Sequence, residues 1–295
     1  MKYRILAVSL GVASCFWACS LFVDTGGLDT ETDATNDDVV TPQDGGDAST
    51  VDATDAAPDV ADAATEAEAA PPCPSGKGPD MVVVPDAGYC VDSTEVTRGQ
   101  YAAFLATNPS TGGQLPECAW NSSFTPSSWN PNPSDLPVTN VDWCDAYAFC
   151  HWAGKRMCGA IGGGAITWSN ANSTNPNVSQ WYRACSGNGA VAYPYGPNYV
   201  AGACNAPTGD ASLAPVKSFA GCVGGYSGIY DMAGNVEEWQ DSCDNDSGSS
   251  DNCREQAGTY GYQAGDPSGS TRCDFLDYDH RGSQLDDVGI RCCSP

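Results

Sequence analysis

The chain has 295 residues, with 37 Asp and Glu against 12 Lys and Arg and a formal net charge of −25, a balance that sets aside nucleic acid and anionic lipid headgroups as electrostatic partners. Its 16 cysteines, with no CxxC spacing anywhere, argue against thiolate metal sites and for disulfides made in an oxidising compartment.

Met1-Lys2-Tyr3-Arg4 and the apolar run to Cys15 form a basic start and a hydrophobic stretch too short to span a bilayer, so residues 1–19 are predicted to be an export signal. Val12-Ala13-Ser14-Cys15 has the small and aliphatic residues that precede an acylated cysteine, and Cys19 offers a second, less regular position. Either would make a lipoprotein, anchored to the membrane by lipid at the outer membrane or cell surface. Plain secretion is the alternative. Residues 20–72 hold fourteen acidic residues and no basic one. Such a segment repels itself and buries too little apolar surface to order. It is expected to be an extended tether, with a partner-binding acidic tail as the other reading.

Residues 73–295 keep a net charge of −13 and fourteen cysteines, enough for up to seven bridges, and are long enough for one large core, a single monomeric domain. Met81–Thr97 has a β-branched run, a Pro/Asp/Gly break and a second extended run, predicting strand, turn and strand. Thr97 can cap a helix that places Tyr101, Phe104 and Leu105 on one face before Pro109. Residues 110–136, rich in Gly, Pro, Ser and Asn, should be irregular. VDWCDAYAFCHWAGKR predicts a second helix, with Asp142 near its N-terminus and Trp143, Tyr147 and Cys150 on adjoining turns. From about Trp168 onward short extended pieces are expected. The composite is an α+β domain with few regular elements.

Several phrases in order, MVVVPDAGYCVDSTEVTRGQYAAFL, PVTNVDWCDAYAFCHWAGKR, WYRAC, YPYG, GIYDMAGNVEEW and VGIRCC, together resemble the formylglycine-generating enzyme, or sulfatase-modifying-factor, family. The resemblance covers nearly all of residues 80–295. It implies that family's fold, related to C-type lectins, with Cys150 paired to Cys292 and Cys185 to Cys273. It also implies a calcium site built from the side chains of Asp231 and Glu238 and the backbone oxygens of Gly234 and Val236, hard oxygen donors that suit Ca²⁺. A second calcium site would draw on Asn205, Ala206 and Asp210, although the loop there is short. Asp241, Asp244, Asp246 and Asp251 do not follow the EF-hand spacing and read as a solvated acidic loop.

Active relatives carry a Gly-Gly-Ser-Tyr phrase followed by two cysteines whose thiolates bind copper, the soft donors that a monovalent copper ion requires. Here the phrase is Ala257-Gly258-Thr259-Tyr260-Gly261-Tyr262, and Tyr262 stands where the first cysteine would be. Glu237 replaces the tryptophan usual in the family's GNxWEW phrase. Cys253 or another thiol could have taken over the role. Iron relatives need clustered histidines, whereas this chain has only His151 and His280, and no GxSxG elbow marks a serine nucleophile. Trp120, Trp129, Tyr193, Tyr195, Tyr199, Tyr226, Tyr260 and Tyr262 either fill the core or line a cleft. Two functions therefore stay open. One is a catalytically degenerate module holding a peptide or glycan in the old substrate cleft around Thr259, Tyr260 and Tyr262. The other is an oxidoreductase that converts a protein cysteine to formylglycine.

Overall fold

The computed structural model describes residues 72–294 except 86, 207–211 and 262–266. The expected export signal and nearly all of the tether, with Cys15 and Cys19, lie outside the described residues, as do Asp210 and Tyr262.

The first hairpin joins β1 (Met81–Val84) to β2 (Tyr89–Asp92) in antiparallel register, Val84 opposite Tyr89. Helix α1 (Arg98–Leu105) starts at Thr97, whose hydroxyl accepts the Gln100 amide while the Gln100 side chain returns to the Thr97 amide. This reciprocal cap satisfies two amides that the helix itself cannot. Asp142 and Asp145 make the same box at α2 (Trp143–Trp152). Burial pushes the Asp142 carboxyl up to about 6. Both helices fall where the sequence predicts them, and Tyr101, Phe104 and Phe149 pack their rings together at 5.3–5.8 Å.

Past Trp168 the expectation of short extended pieces needs correction. Short helices α3 (Asn170–Ser173) and α4 (Gln180–Ser186) follow the two-residue β3 (Arg156–Met157). Ser179 caps α4 and Gly187 ends it at φ +58°. A helix of two turns shows no sequence period long enough to recognise; its cap residues are the only local signal. Thereafter come β4 (Glu237–Cys243), β5 (Asn252–Gln256), the single turn α5 (Pro267–Ser270), β6 (Leu276–His280), β7 (Val288–Gly289) and β8 (Cys292–Cys293).

The strands make two four-stranded sheets, ordered β1-β2-β8-β3 and β6-β5-β4-β7. One core lies under α1 and α2, around Phe104, Val141, Phe149, Trp239 and Ile290. A second gathers Val84, Val91, Trp181, Ile229 and Met232.

Seven disulfides join all fourteen cysteines from Cys73 to Cys293. The two that the family resemblance implies, Cys150–Cys292 and Cys185–Cys273, are present. Neighbouring residues of a strand point to opposite faces. Cys292 therefore reaches α2 while Cys293 reaches Cys158, and β8 is riveted on both sides. Cross-linking on this scale is the mark of an extracytoplasmic protein. Among the described residues no helix is long and apolar enough to cross a membrane.

Candidate functional site

The segment that the resemblance aligns with the reaction centre of active relatives lies at the end of the second sheet where β4 begins and β5 ends. Ala257 turns the chain at φ +71°, a left-handed conformation that costs an alanine about 1–2 kcal/mol. A side chain at Gly258 would meet the Ser270 carbonyl at 2.3 Å, so only glycine lets the two segments touch. Thr259 is buried, and half-buried Tyr260 donates its amide to the Asn235 carbonyl at 3.0 Å.

Carboxylates surround these residues. Glu255 faces Trp239 across the β4–β5 pair and sits diagonal to Glu237. Both glutamates are buried, and Oε1 of each has no hydrogen-bond partner. Burial, then Asp277, pushes Glu237 well above the usual carboxylate range; burial, then Glu237, does the same for Glu255. Both carboxyls therefore favour the protonated form. Folded carboxyls that hold protons which the unfolded chain has released make stability fall as pH rises from the unfolded value, near 4.3, through the raised folded values. Glu255→Gln removes one of these groups. It is expected to raise the melting temperature over wild type more at pH 8 than at pH 5, the wild type losing about 1.4 kcal/mol per pH unit per proton inside that window. A difference that stays constant with pH would count against protonated carboxyls at this position.

Copper does not fit this centre. Cys253, the thiol considered as a substitute, is bonded to Cys243, and Cys273 is bonded to Cys185. The described residues hold no unbridged cysteine that could offer the soft thiolate Cu(I) requires.

The structure does bring the proposed calcium residues together, in the turn that leads into β4. Asp231, Gly234 and Asn235 all have positive φ, at +55°, +72° and +62°. A side chain at Gly234 would meet the Asn205 carbonyl at 2.3 Å. That carbonyl accepts the Asn235 amide at 2.7 Å, and the Asn205 side chain donates to Asn235 Oδ1 at 3.0 Å. Asp231 accepts the Lys217 amide at 2.7 Å. Val236 and Ala206 are buried beside them.

Glu238 is already engaged within the protein. Both of its oxygens are taken by the Arg291 guanidinium, Nε lying 2.8 and 2.9 Å away, and Trp181 Nε1 donates to the same carboxylate. Arg291 is wholly buried and spends its other nitrogens on the carbonyls of Asp92, Tyr230 and Asp231. Burial pushes Glu238 up and Arg291 pulls it back; the forked geometry is that of a buried ion pair. Glu238 is thus the counter-ion of Arg291. The calcium set that the resemblance implies counts two carboxylates, Asp231 and Glu238, with the backbone oxygens of Gly234 and Val236, and of these Glu238 is engaged by Arg291.

Glu95, Asn235 and Arg291 are members of this network that no motif singled out. Asn235 donates to Glu95 Oε1 at 3.0 Å, while Glu95 Oε2 is buried without a hydrogen-bond partner. A lone Arg inside the apolar run VGIRCC was the signal available in the sequence, since a buried guanidinium needs a carboxylate.

The acidic Cys243–Cys253 loop also differs from the solvated stretch expected. Asp251 is buried and accepts the amides of Ser247 and Gly248 at 2.7 and 2.9 Å, and Asp244 accepts the amide and side chain of Asn252 at 3.0 and 2.7 Å. The carboxylates are local caps on the turn; Asp246 alone is strongly exposed. Of the aromatic residues singled out, Tyr193 is buried and stacks on half-buried Tyr195 at 5.6 Å, half-buried Trp129 packs on Tyr101 at 5.7 Å, and Trp120 is exposed.

Comparison with known proteins places this arrangement. The family model described as the sulfatase-modifying factor enzyme 1-like domain matches residues 29–294. Inactive C-alpha-formylglycine-generating enzyme 2 of Mus musculus is 28% identical over 137 residues, which cover 42% of this chain and 38% of that protein. Formylglycine-generating enzyme of Thermomonospora curvata is 29% identical over 140 residues, 42% of this chain and 39% of that one. The chain thus spans about two fifths of the length of these curated relatives. Among solved structures, CarF aligns at 22% identity with a TM-score of 0.46, covering 74% of this chain and 96% of that one. PvdO from Pseudomonas aeruginosa aligns at 20% with a TM-score of 0.47, covering 70% and 79%. The chain belongs to the sulfatase-modifying factor enzyme 1-like, formylglycine-generating family.

Proposed function

We propose that the domain is an exported binding or scaffolding module that keeps the formylglycine-generating fold, does no oxidation, and uses the surface over Thr259 and Tyr260 to hold a peptide or glycan. The observation that carries this reading is the fate of the sulfur. Every cysteine from Cys73 to Cys293 is in a bridge, and carboxyls and a phenol gather where thiolates would be needed. Hard oxygen donors do not stabilise Cu(I).

The test is direct. The purified protein is incubated with copper, oxygen, reductant and a cysteine-containing sulfatase-type peptide, and the peptide is weighed by mass spectrometry. The expected result is no aldehyde above the protein-free blank. Aldehyde that grows with protein concentration, and persists in Cys253→Ser, would establish the oxidoreductase reading instead.

A further inference from the structure

The two sheets end in the edge strands β1, β3, β6 and β7, and these are not protected alike. β3 and β7 are two residues long. β6 is guarded, because the outward amides of Tyr278 and His280 are taken by the carboxylates of Asp277 and Asp279 at 2.8 and 3.3 Å. Very short strands and charged side chains are the means by which folded proteins keep an edge from pairing with another chain.

β1 has no such guard. Its residues, Met81-Val82-Val83-Val84, are apolar throughout. In an antiparallel pair the backbone groups of successive residues turn alternately toward the partner strand and away from it. The Ser93 amide donates to the Asp80 carbonyl at 2.8 Å, whereas Cys90 on β2 faces the other way and exchanges hydrogen bonds of 2.7 Å with Ser294. With Val84 opposite Tyr89, this directs Val82 and Val84 to β2 and leaves Met81 and Val83 facing outward.

Among the described residues the outward amides and carbonyls of Met81 and Val83 have no hydrogen-bond partner. The Val83 side chain is 46% exposed. Pro79 and Pro85 bracket the strand, and a proline has no N–H to donate. The open row is therefore confined to Met81 and Val83, which fixes the register of anything that pairs there.

Donors and acceptors repeating at strand spacing match the main chain of an extended polypeptide, and the valine beside them favours a β-branched neighbour. A second copy of the chain is a poor match. It would set two domains of net charge −13 against each other across a strand with one strongly exposed apolar side chain, far short of the roughly 1,000 Å² that a stable interface buries. The same charge selects the flanks of the segment that fits, neutral or basic and not acidic. We infer that the open edge of β1 docks an extended, β-branched segment of a partner polypeptide with neutral or basic flanks, added as a fifth strand beside Met81 and Val83. The edge belongs to the first sheet, whereas Thr259 and Tyr260 follow β5 of the second.

Fluorescence anisotropy of fluorescein-labelled Lys-Val-Thr-Val-Thr-Val-Lys, titrated with the full chain, tests the inference. The peptide is expected to bind, and N-methylation of its five central amides, which keeps charge and side chains but removes the donors, should weaken binding about tenfold or more. Val83→Pro removes an outward N–H without breaking a ladder bond. It should weaken the unmethylated peptide by about as much, while Tyr260→Ala at the other surface should change binding by less than about twofold. If Val83→Pro disturbs folding, the two peptides against the wild type carry the comparison. No binding, equal binding of the two peptides, or a loss in Tyr260→Ala as large as that in Val83→Pro would overturn the inference. So would a wild-type dimer in sedimentation that Val83→Pro dissolves, since a second copy would then hold the edge.

Discussion

Arg291→Met is expected to cost about 3–5 kcal/mol of stability, as breaking one side of a buried ion pair does. Arg291 makes five hydrogen bonds, two to Glu238 and three to the carbonyls of Asp92, Tyr230 and Asp231. Removing it leaves the Glu238 carboxylate buried with only Trp181 to compensate it, next to Asp231 and Glu95. Those acids then repel without a neutralising charge. The double variant Arg291→Met/Glu238→Gln should recover part of the loss, because replacing both partners of a buried pair is far less costly than orphaning one. Urea unfolding of the wild type and the two variants measures both quantities. A loss under about 1 kcal/mol for Arg291→Met would mean that the pair does not hold the turn to the first sheet.

Removing the Cys150–Cys292 bridge is the second large effect. It closes 142 residues of chain and Cys243–Cys253 closes ten, but Cys158–Cys293 closes nearly the same span beside the first. With that neighbour kept, Cys150–Cys292 closes a ring of about ten residues, and the loop-entropy relation gives each bridge about 3 kcal/mol. The structural setting separates them: Cys150 and Cys292 are both fully buried between α2 and β8, whereas Cys243 is only partly buried. Cys150→Ala/Cys292→Ala should therefore lose more stability than Cys243→Ala/Cys253→Ala, about 3 kcal/mol or more. Equal losses in urea unfolding would show that the buried setting adds nothing.

The parts of this fold that were legible in the sequence are those with local signatures. Thr97 and Asp142 announce their helices through capping residues at the right spacing, and the β1–β2 hairpin follows from its β-branched runs and Pro/Asp/Gly break. Helix α4 has the same kind of cap, Ser179, but only two turns, too few for a period to show. The disulfide partners depend on tertiary placement: Cys292 and Cys293 are adjacent yet point to opposite faces of β8. Glu238 shows the same limit at the site. Sequence can single out the carboxylate, but its pairing with Arg291 depends on a residue 53 positions away. Likewise Asp244 and Asp251 look like solvated charges until the hairpin folds them onto its own amides.

Mapping the bridges of the unreduced protein by alkylation, proteolysis and mass spectrometry tests the central claim most directly. The account predicts no alkylated cysteine between Cys73 and Cys293 and a linked peptide joining Cys243 to Cys253. Two alkylated thiols in the native protein, one of them Cys253, would supply the sulfur that copper chemistry needs and contradict it.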